Sequence, residues 1–196
     1  MHSVTCDKLQ NCNLPNESSR DQVFPKLNLL TNPNQLVLDE QISDLDASLD
    51  IGPWNVVDSS FGPHTIDLMA FPSNVKLDRS GRPLKFFSPF PSVQAQGTNV
   101  FSQVFENAFV FPPFTLIGPL LKFLTSQPCL FTLTAPDVSP RKYWWPLLQR
   151  QATVAFKLGQ KGDNTILLFP AKTGHSPWES RPLQWDLWVF RFAALQ

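Results

Sequence analysis

Two places in the chain carry residues of the types and spacing that ligand chemistry needs. The first is Phe111-Pro112-Pro113-Phe114, which closes the apolar run AFVF. A polar residue followed by two prolines and an aromatic, at the mouth of a buried strand, can accept hydrogen bonds from an exocyclic amine and stack on the base that bears it. Here Phe114 can stack, but Phe111 can accept nothing. Removing such an acceptor from a site that must bind an N–H costs on the order of a few kcal/mol of transition-state stabilisation. The second place is Asp67, near the end of HTIDLMA (64–70), with Ala70 and Asn74 just beyond it. A strand-end carboxylate either holds ribose hydroxyls or a cationic group, or caps the turn that follows. The sequence leaves both readings open.

Other chemistries find less support. Zinc needs clustered Cys and His ligands; Cys6 and Cys12 lie in a polar segment with no such partners. His64 and His175 have no Ser or Cys in a nucleophile setting, so a hydrolase triad is not expected. GQKGDN (159–164) has two glycines and a lysine but lies between two strand candidates, which favours a hairpin turn over a phosphate loop. The Trp144–Trp145 pair, Trp178, Trp185 and Trp188 read as core and interface residues.

The elements that must position Asp67 and the double proline follow from local pattern. HTIDLMA is a buried strand candidate, and 71–98 is a long, proline-rich connection with one short strand at LKFF. FVF (109–111) is a strand, TLIGPLLKFLTS (115–126) a helix with Pro119 near its first turn, and CLFTLTAP (129–136) a strongly marked strand. RKYWWPLLQRQ (141–151) is a helix, and ATVAFKLG (152–159), TILLFPA (165–171) and LQWDLWVFRF (183–192) are strands. Strands alternating with helices give a parallel sheet, and a tail of strands without helices gives antiparallel ones. The expected fold is therefore α/β, a three-layer sandwich with a mostly parallel sheet and antiparallel C-terminal strands.

Composition bounds the rest. Residues 1–50 are polar and expected to be largely disordered, with the folded domain over 51–196. Sixteen basic residues balance sixteen acidic ones, so no global charge footprint for nucleic acid exists. Three cysteines argue against a disulfide framework. No apolar run approaches the roughly 20 residues of a membrane span, and the first residues lack the apolar core of a signal peptide. An intracellular protein, nuclear or cytoplasmic, with neither membrane nor metal partners is expected.

The ordered run FGPHTIDLMAFPSN, GTNVFSQ, AFVFPPFTLIGPLL, FTLTAPDVSPRKYWWPLL, KLGQKGD, ILLFPA and LQWDLWVFRF resembles one known family. It is similar to the methyltransferase-like domain of DIRS- and Ngaro-type retrotransposon polyproteins, which integrate with a tyrosine recombinase. That domain in turn resembles Dam-type adenine-N6 methyltransferases. The resemblance covers Trp54 to Phe192. It implies a Rossmann-like methyltransferase fold, with Phe111, Pro112, Pro113 and Phe114 at the catalytic tetrapeptide. By the same resemblance Asp67, Ala70 and Asn74 match the motif that meets S-adenosylmethionine. Asn99 stands where the Dam-type pattern has an acidic residue, and Phe105 where it has tryptophan. With Phe111 and the missing glycine-rich cofactor loop, these departures imply a catalytically inactive domain. Its expected work is interaction with DNA or with other retroelement polyprotein domains, without a cofactor. Two alternatives stand beside it: an active S-adenosylmethionine-dependent DNA adenine methyltransferase with an altered motif, and a purely structural interaction domain.

Overall fold

The structure, a computed structural model, describes residues 47–103, 105–171 and 177–193. Residues 1–46 of the segment read as disordered, with Cys6 and Cys12, lie outside the described residues, as does His175. In chain order the elements are β1 (Ser48–Leu49), α1 (Ile51–Phe61), β2 (Ile66–Asp67), β3 (Lys85–Phe86), β4 (Asn107–Val110), α2 (Ile117–Leu124), β5 (Leu130–Asp137), α3 (Trp145–Gln151), β6 (Val154–Gly159), β7 (Leu167–Pro170), β8 (Trp178–Ser180) and β9 (Asp186–Phe192).

Six strands form the main sheet in the order β3-β2-β4-β5-β9-β6. β3, β2, β4 and β5 are mutually parallel, and β9 runs antiparallel to both β5 and β6. β6 therefore points the same way as β5, and β9 is the one reversed strand. This is the mostly parallel α/β sheet expected, with a different tail. β6 and β7 do not form the hairpin that the KGDN turn signal implies. β7 instead pairs with β1 and β8 in a separate three-stranded antiparallel sheet. The reason is burial. After the turn, where Gly162 takes a φ of 91°, Ile166 and Leu167 enter the core beneath α1 and pair away from β6.

The sheet alternates between two cores. Ala108 and Val110 of β4, Phe131, Leu133 and Ala135 of β5, and Phe190 and Phe192 of β9 face α2 and α3. Phe109, Leu187 and Val189 face the opposite core, which α1 and the small sheet cover through Trp54, Val57, Leu49 and Leu167. Layers therefore lie on both faces, and β5 is buried along nearly its whole length, as an apolar central parallel strand must be.

The sequence pattern assigned no helix to 51–61, yet α1 forms there. Asp50 caps it by accepting from the Ile51 N–H, and Pro53 falls in the first turn, where its missing N–H is tolerated. Trp54, Val57 and Asp58, spaced i, i+3, i+4, supply the buried stripe.

Candidate functional site

In open α/β sheets the carboxyl ends of the parallel strands receive ligands. Here that edge gathers the loop after β2, the Phe111–Phe114 turn after β4, and the loop after β5. The double proline ends β4 because neither proline can donate to the ladder. The chain then enters a 3-10 turn at Phe114–Leu116, closed by the Leu116 N–H on the Pro113 carbonyl, and continues into α2. Pro112 is buried and Pro113 exposed.

Asp67, Asn74 and Phe111 converge on one small cavity, together with Ala47, Ser48, Met69, Lys76 and Phe109. Its volume is about 10 Å³. That is room for roughly one water, whereas small-molecule pockets run to about 300–1,000 Å³. The polar side chains of its wall are already engaged. The Asp67 carboxylate accepts the Met69 N–H at 3.2 Å, the turn-capping role left open by the sequence. Asn74 Oδ1 accepts the Phe71 N–H at 2.7 Å. Lys76 Nζ donates to Ser48 Oγ at 2.5 Å and to the Leu49 carbonyl at 2.6 Å.

Two opposite charges thus share a water-sized space away from solvent, Asp67 at 2% exposure and Lys76 at 8%. Burial pushes the Asp67 carboxyl up to about 6, against the pull of Lys76 and of two backbone N–H groups. Burial likewise draws the Lys76 ammonium down to about 8, opposed by Asp67 and Asp50. Nothing in the sequence around Lys76 marks it, because its partners on β1 lie 27 and 28 residues away.

The remaining candidates sit elsewhere. Ala70 is buried in the continuation of β2, its N–H on the Phe87 carbonyl. Asn99 is exposed and accepts the Phe101 N–H at the head of a 3-10 turn. Phe114 does not line the Asp67 cavity. It is 37% exposed and meets Trp185 edge-on, ring centroids 4.9 Å apart. Phe105 packs edge-on against Phe87 in the α2-side core.

At the opposite, amino-terminal end of the strands runs a buried polar chain that sequence reasoning missed. His64 Nδ1 lies 2.9 Å from Asp58 Oδ1, and His64 Nε2 lies 2.9 Å from Thr132 Oγ1. Arg79 donates to Asp58, and Arg191 donates to Thr132 and Asn107. A carboxylate, an imidazole and a hydroxyl in series have the connectivity of a nucleophile triad. Thr132 is 0% exposed, however, and the His64 side chain likewise, so no substrate can reach the hydroxyl. The chain ties α1, β4, β5 and β9 together. Burial lowers the His64 pKa despite the Asp58 carboxylate, so the ring is neutral, donating from Nδ1 and accepting from Thr132 at Nε2. Burial raises the Asp58 carboxyl, but hydrogen bonds from Arg79 and His64 outweigh it and leave the pKa below the ordinary value.

A wider cleft of about 700 Å³ opens at that same end, past His64, Asp78, Arg82, Lys85, Phe105 and Glu106. Its charges are mixed in sign, and Arg82 is already paired with Asp78. The carboxyl edge, where the sequence-marked residues meet, is the better candidate.

Among the described residues no three His, Cys, Asp or Glu side chains group to hold a metal ion. No described helix is long and apolar enough to cross a membrane. No protein-family model and no curated protein matches the chain.

Proposed function

We propose that this chain is a non-catalytic methyltransferase-like domain of the tyrosine-recombinase retroelement type, acting as an interaction module for nucleic acid or protein. The observation that carries the reading is the water-sized cavity at Asp67. A Rossmann-like methyltransferase sheet would open its cofactor site at the carboxyl end of β2, where Asp67 stands. That space measures about 10 Å³ and is shared with the Lys76 side chain. S-adenosylmethionine does not fit it. Phe111, at the acceptor position of the tetrapeptide, adds a ring to the same wall.

Two further features support the fold part of the reading. The main sheet has a single reversed strand, inserted next to the edge strand β6. The tetrapeptide follows β4, the immediate neighbour of β2. Interaction rather than chemistry is supported by what stays exposed at the carboxyl edge: Phe114, held against Trp185, and Tyr143 at 70% exposure. Aromatic groups presented this way stack on bases or pack into a partner.

Calorimetric titration of the full chain with S-adenosylmethionine, together with transfer of labelled methyl groups to adenine-containing DNA, tests the reading. The expected result is no binding heat and no transfer. Turnover above that of a Pro113→Ala, Phe114→Ala control would overturn it in favour of the active methyltransferase.

A further inference from the structure

We propose that the carboxyl-end pocket beside Asp67 is a primary-ammonium site whose occupant is the chain's own Lys76, and that this internal ligand fastens β1 to the main sheet. The inference goes beyond the proposed function, since it concerns what fills the site rather than what the domain binds.

Lys76 Nζ carries three protons and so directs three hydrogen bonds. Two of them reach Ser48 Oγ and the Leu49 carbonyl, both on β1. Across the water-sized cavity that both groups line stands the buried Asp67 carboxylate. Asp67 is the last residue of β2, fixed between β3 and β4 by parallel pairing. The lysine is therefore hydrogen-bonded to a two-residue strand whose own pairing is short, Ser48 with Leu168 and Leu49 with Leu167, and faces a rigid strand end across the cavity without a direct ion pair to it.

The chemistry explains why a lysine is kept there. A buried carboxylate without a countercharge is costly, and so is a buried ammonium. Each relieves the other, and the hydroxyl and carbonyl of β1 supply hydrogen bonds that a free cation would otherwise take from water. A strand-end carboxylate suited to a cationic ligand has thus been satisfied from within. Removing β1 would strip Ser48 and the Leu49 carbonyl from the site together.

The test uses the full chain and restores the missing cation from solution. Lys76→Ala removes three methylenes and the ammonium, a group the size of a propylammonium ion. Its melting temperature is expected to fall by roughly 10 °C, the size expected when one partner of a buried pair is lost. Tens of millimolar propylammonium chloride should recover part of that loss. Propan-1-ol at the same concentration should recover none, and neither should propylammonium in the Asp67→Asn, Lys76→Ala double variant. Equal recovery by the alcohol, or in the double variant, would overturn the proposal, because packing rather than charge would then be at work.

Where Lys76→Ala fails to fold, Lys76→Met keeps most of the stem and removes the ammonium with its two hydrogen bonds to β1. Asp67→Asn and Lys76→Met should then be strongly coupled, the double variant being more stable than the sum of the single losses allows. Amide exchange at Leu49 and Asp50 should also speed up by about tenfold or more in Lys76→Met as β1 loosens. Additive losses, or unchanged exchange on β1, would sink the idea. The methyl-transfer assay reads the proposed function and not this clasp, so the two proposals fail separately.

Discussion

Asp58 Oδ1 and His64 Nδ1 lie 2.9 Å apart in a pocket where the imidazole is wholly buried, and the second ring nitrogen is taken by Thr132. A ring held this way keeps one proton, donated from Nδ1, while burial disfavours the second. The His64 pKa lies below its ordinary 6.5, chiefly because burial disfavours the imidazolium, with Arg191 and Arg79 adding repulsion.

The pH dependence follows from the sign of that shift. The unfolded chain takes up a proton on His64 near pH 6.5, while the folded chain resists it until lower pH. The stabilisation is therefore full above the unfolded value and is lost as pH falls below it. Asp67 acts in the opposite sense: its folded pKa of about 6 lies above its ordinary 3.8, so acid relieves the cost of burying it across that window. Urea unfolding of the unmodified chain and of His64→Asn separates the two. The loss of stability between about pH 7 and pH 6 should be present in the first and absent in the second. An unchanged slope in the variant would show that another group titrates.

Gly62 makes that contact possible. A Cβ at this position would run into the Asp58 carboxylate and the Asp58 carbonyl. The backbone there has a φ of −83°, so the requirement is space and not a left-handed turn. Gly62→Ala should displace the Asp58 carboxylate from His64 and destabilise by about 2–3 kcal/mol. Chemical denaturation measures this, and a change within experimental error would mean that the loop shifts without strain.

What the sequence disclosed and what it hid divide along physical lines. β5 was legible because threonine, phenylalanine and leucine run between two prolines, and the tetrapeptide was legible because Pro112 and Pro113 can only end a strand. α1 was hidden by Gly52, Pro53, Val56 and Val57, all poor helix formers, although Asp50 and Pro53 sit where a helix start wants them. The pairing of β7 with β1 was illegible because 118 to 120 residues separate the partners (168 − 48 = 120; 167 − 49 = 118). Only packing decides that Ile166 turns away from β6. At the site, Asp67, Asn74 and Phe111 could be named from motif alone, and the structure brings the three onto one cavity wall. Lys76 and His64 could not, since their partners on β1 and β5 are set by the fold and carry no local pattern.

Leu133 tests the centre of the sheet. It is fully buried on β5, paired in register with Val110 on one side and Phe190 on the other. A carboxylate there has no partner and no route to water, so Leu133→Asp should abolish soluble expression. Leu130→Asp, at the 39% exposed start of the same strand, is the control and should remain soluble. A soluble, cooperatively unfolding Leu133→Asp protein would contradict the central place of β5.

Phe111 offers the sharpest test of what the tetrapeptide still does. Its ring is half-buried against the core that α1 covers, and it shares a cavity wall with the Asp67 carboxylate. Phe111→Asp restores the acceptor that an amine-binding tetrapeptide would use. It also sets a second carboxylate beside one that burial already holds at about 6. Like charges in a shared space resist joint ionisation, so one of the two should titrate above neutral pH and the other should stay ionised. The variant should lose about 3 kcal/mol of stability at neutral pH, and part of that loss should return on mild acidification as a proton is taken up. It should transfer no methyl groups to adenine-containing DNA, because the cavity stays water-sized with Lys76 in its wall. In Phe111→Asp, Lys76→Met, where that cation is gone, the acid-dependent recovery should grow, as the two carboxylates then face each other without a countercharge. Recovery of the same size in both variants would show that the introduced carboxylate and Asp67 do not share the cavity.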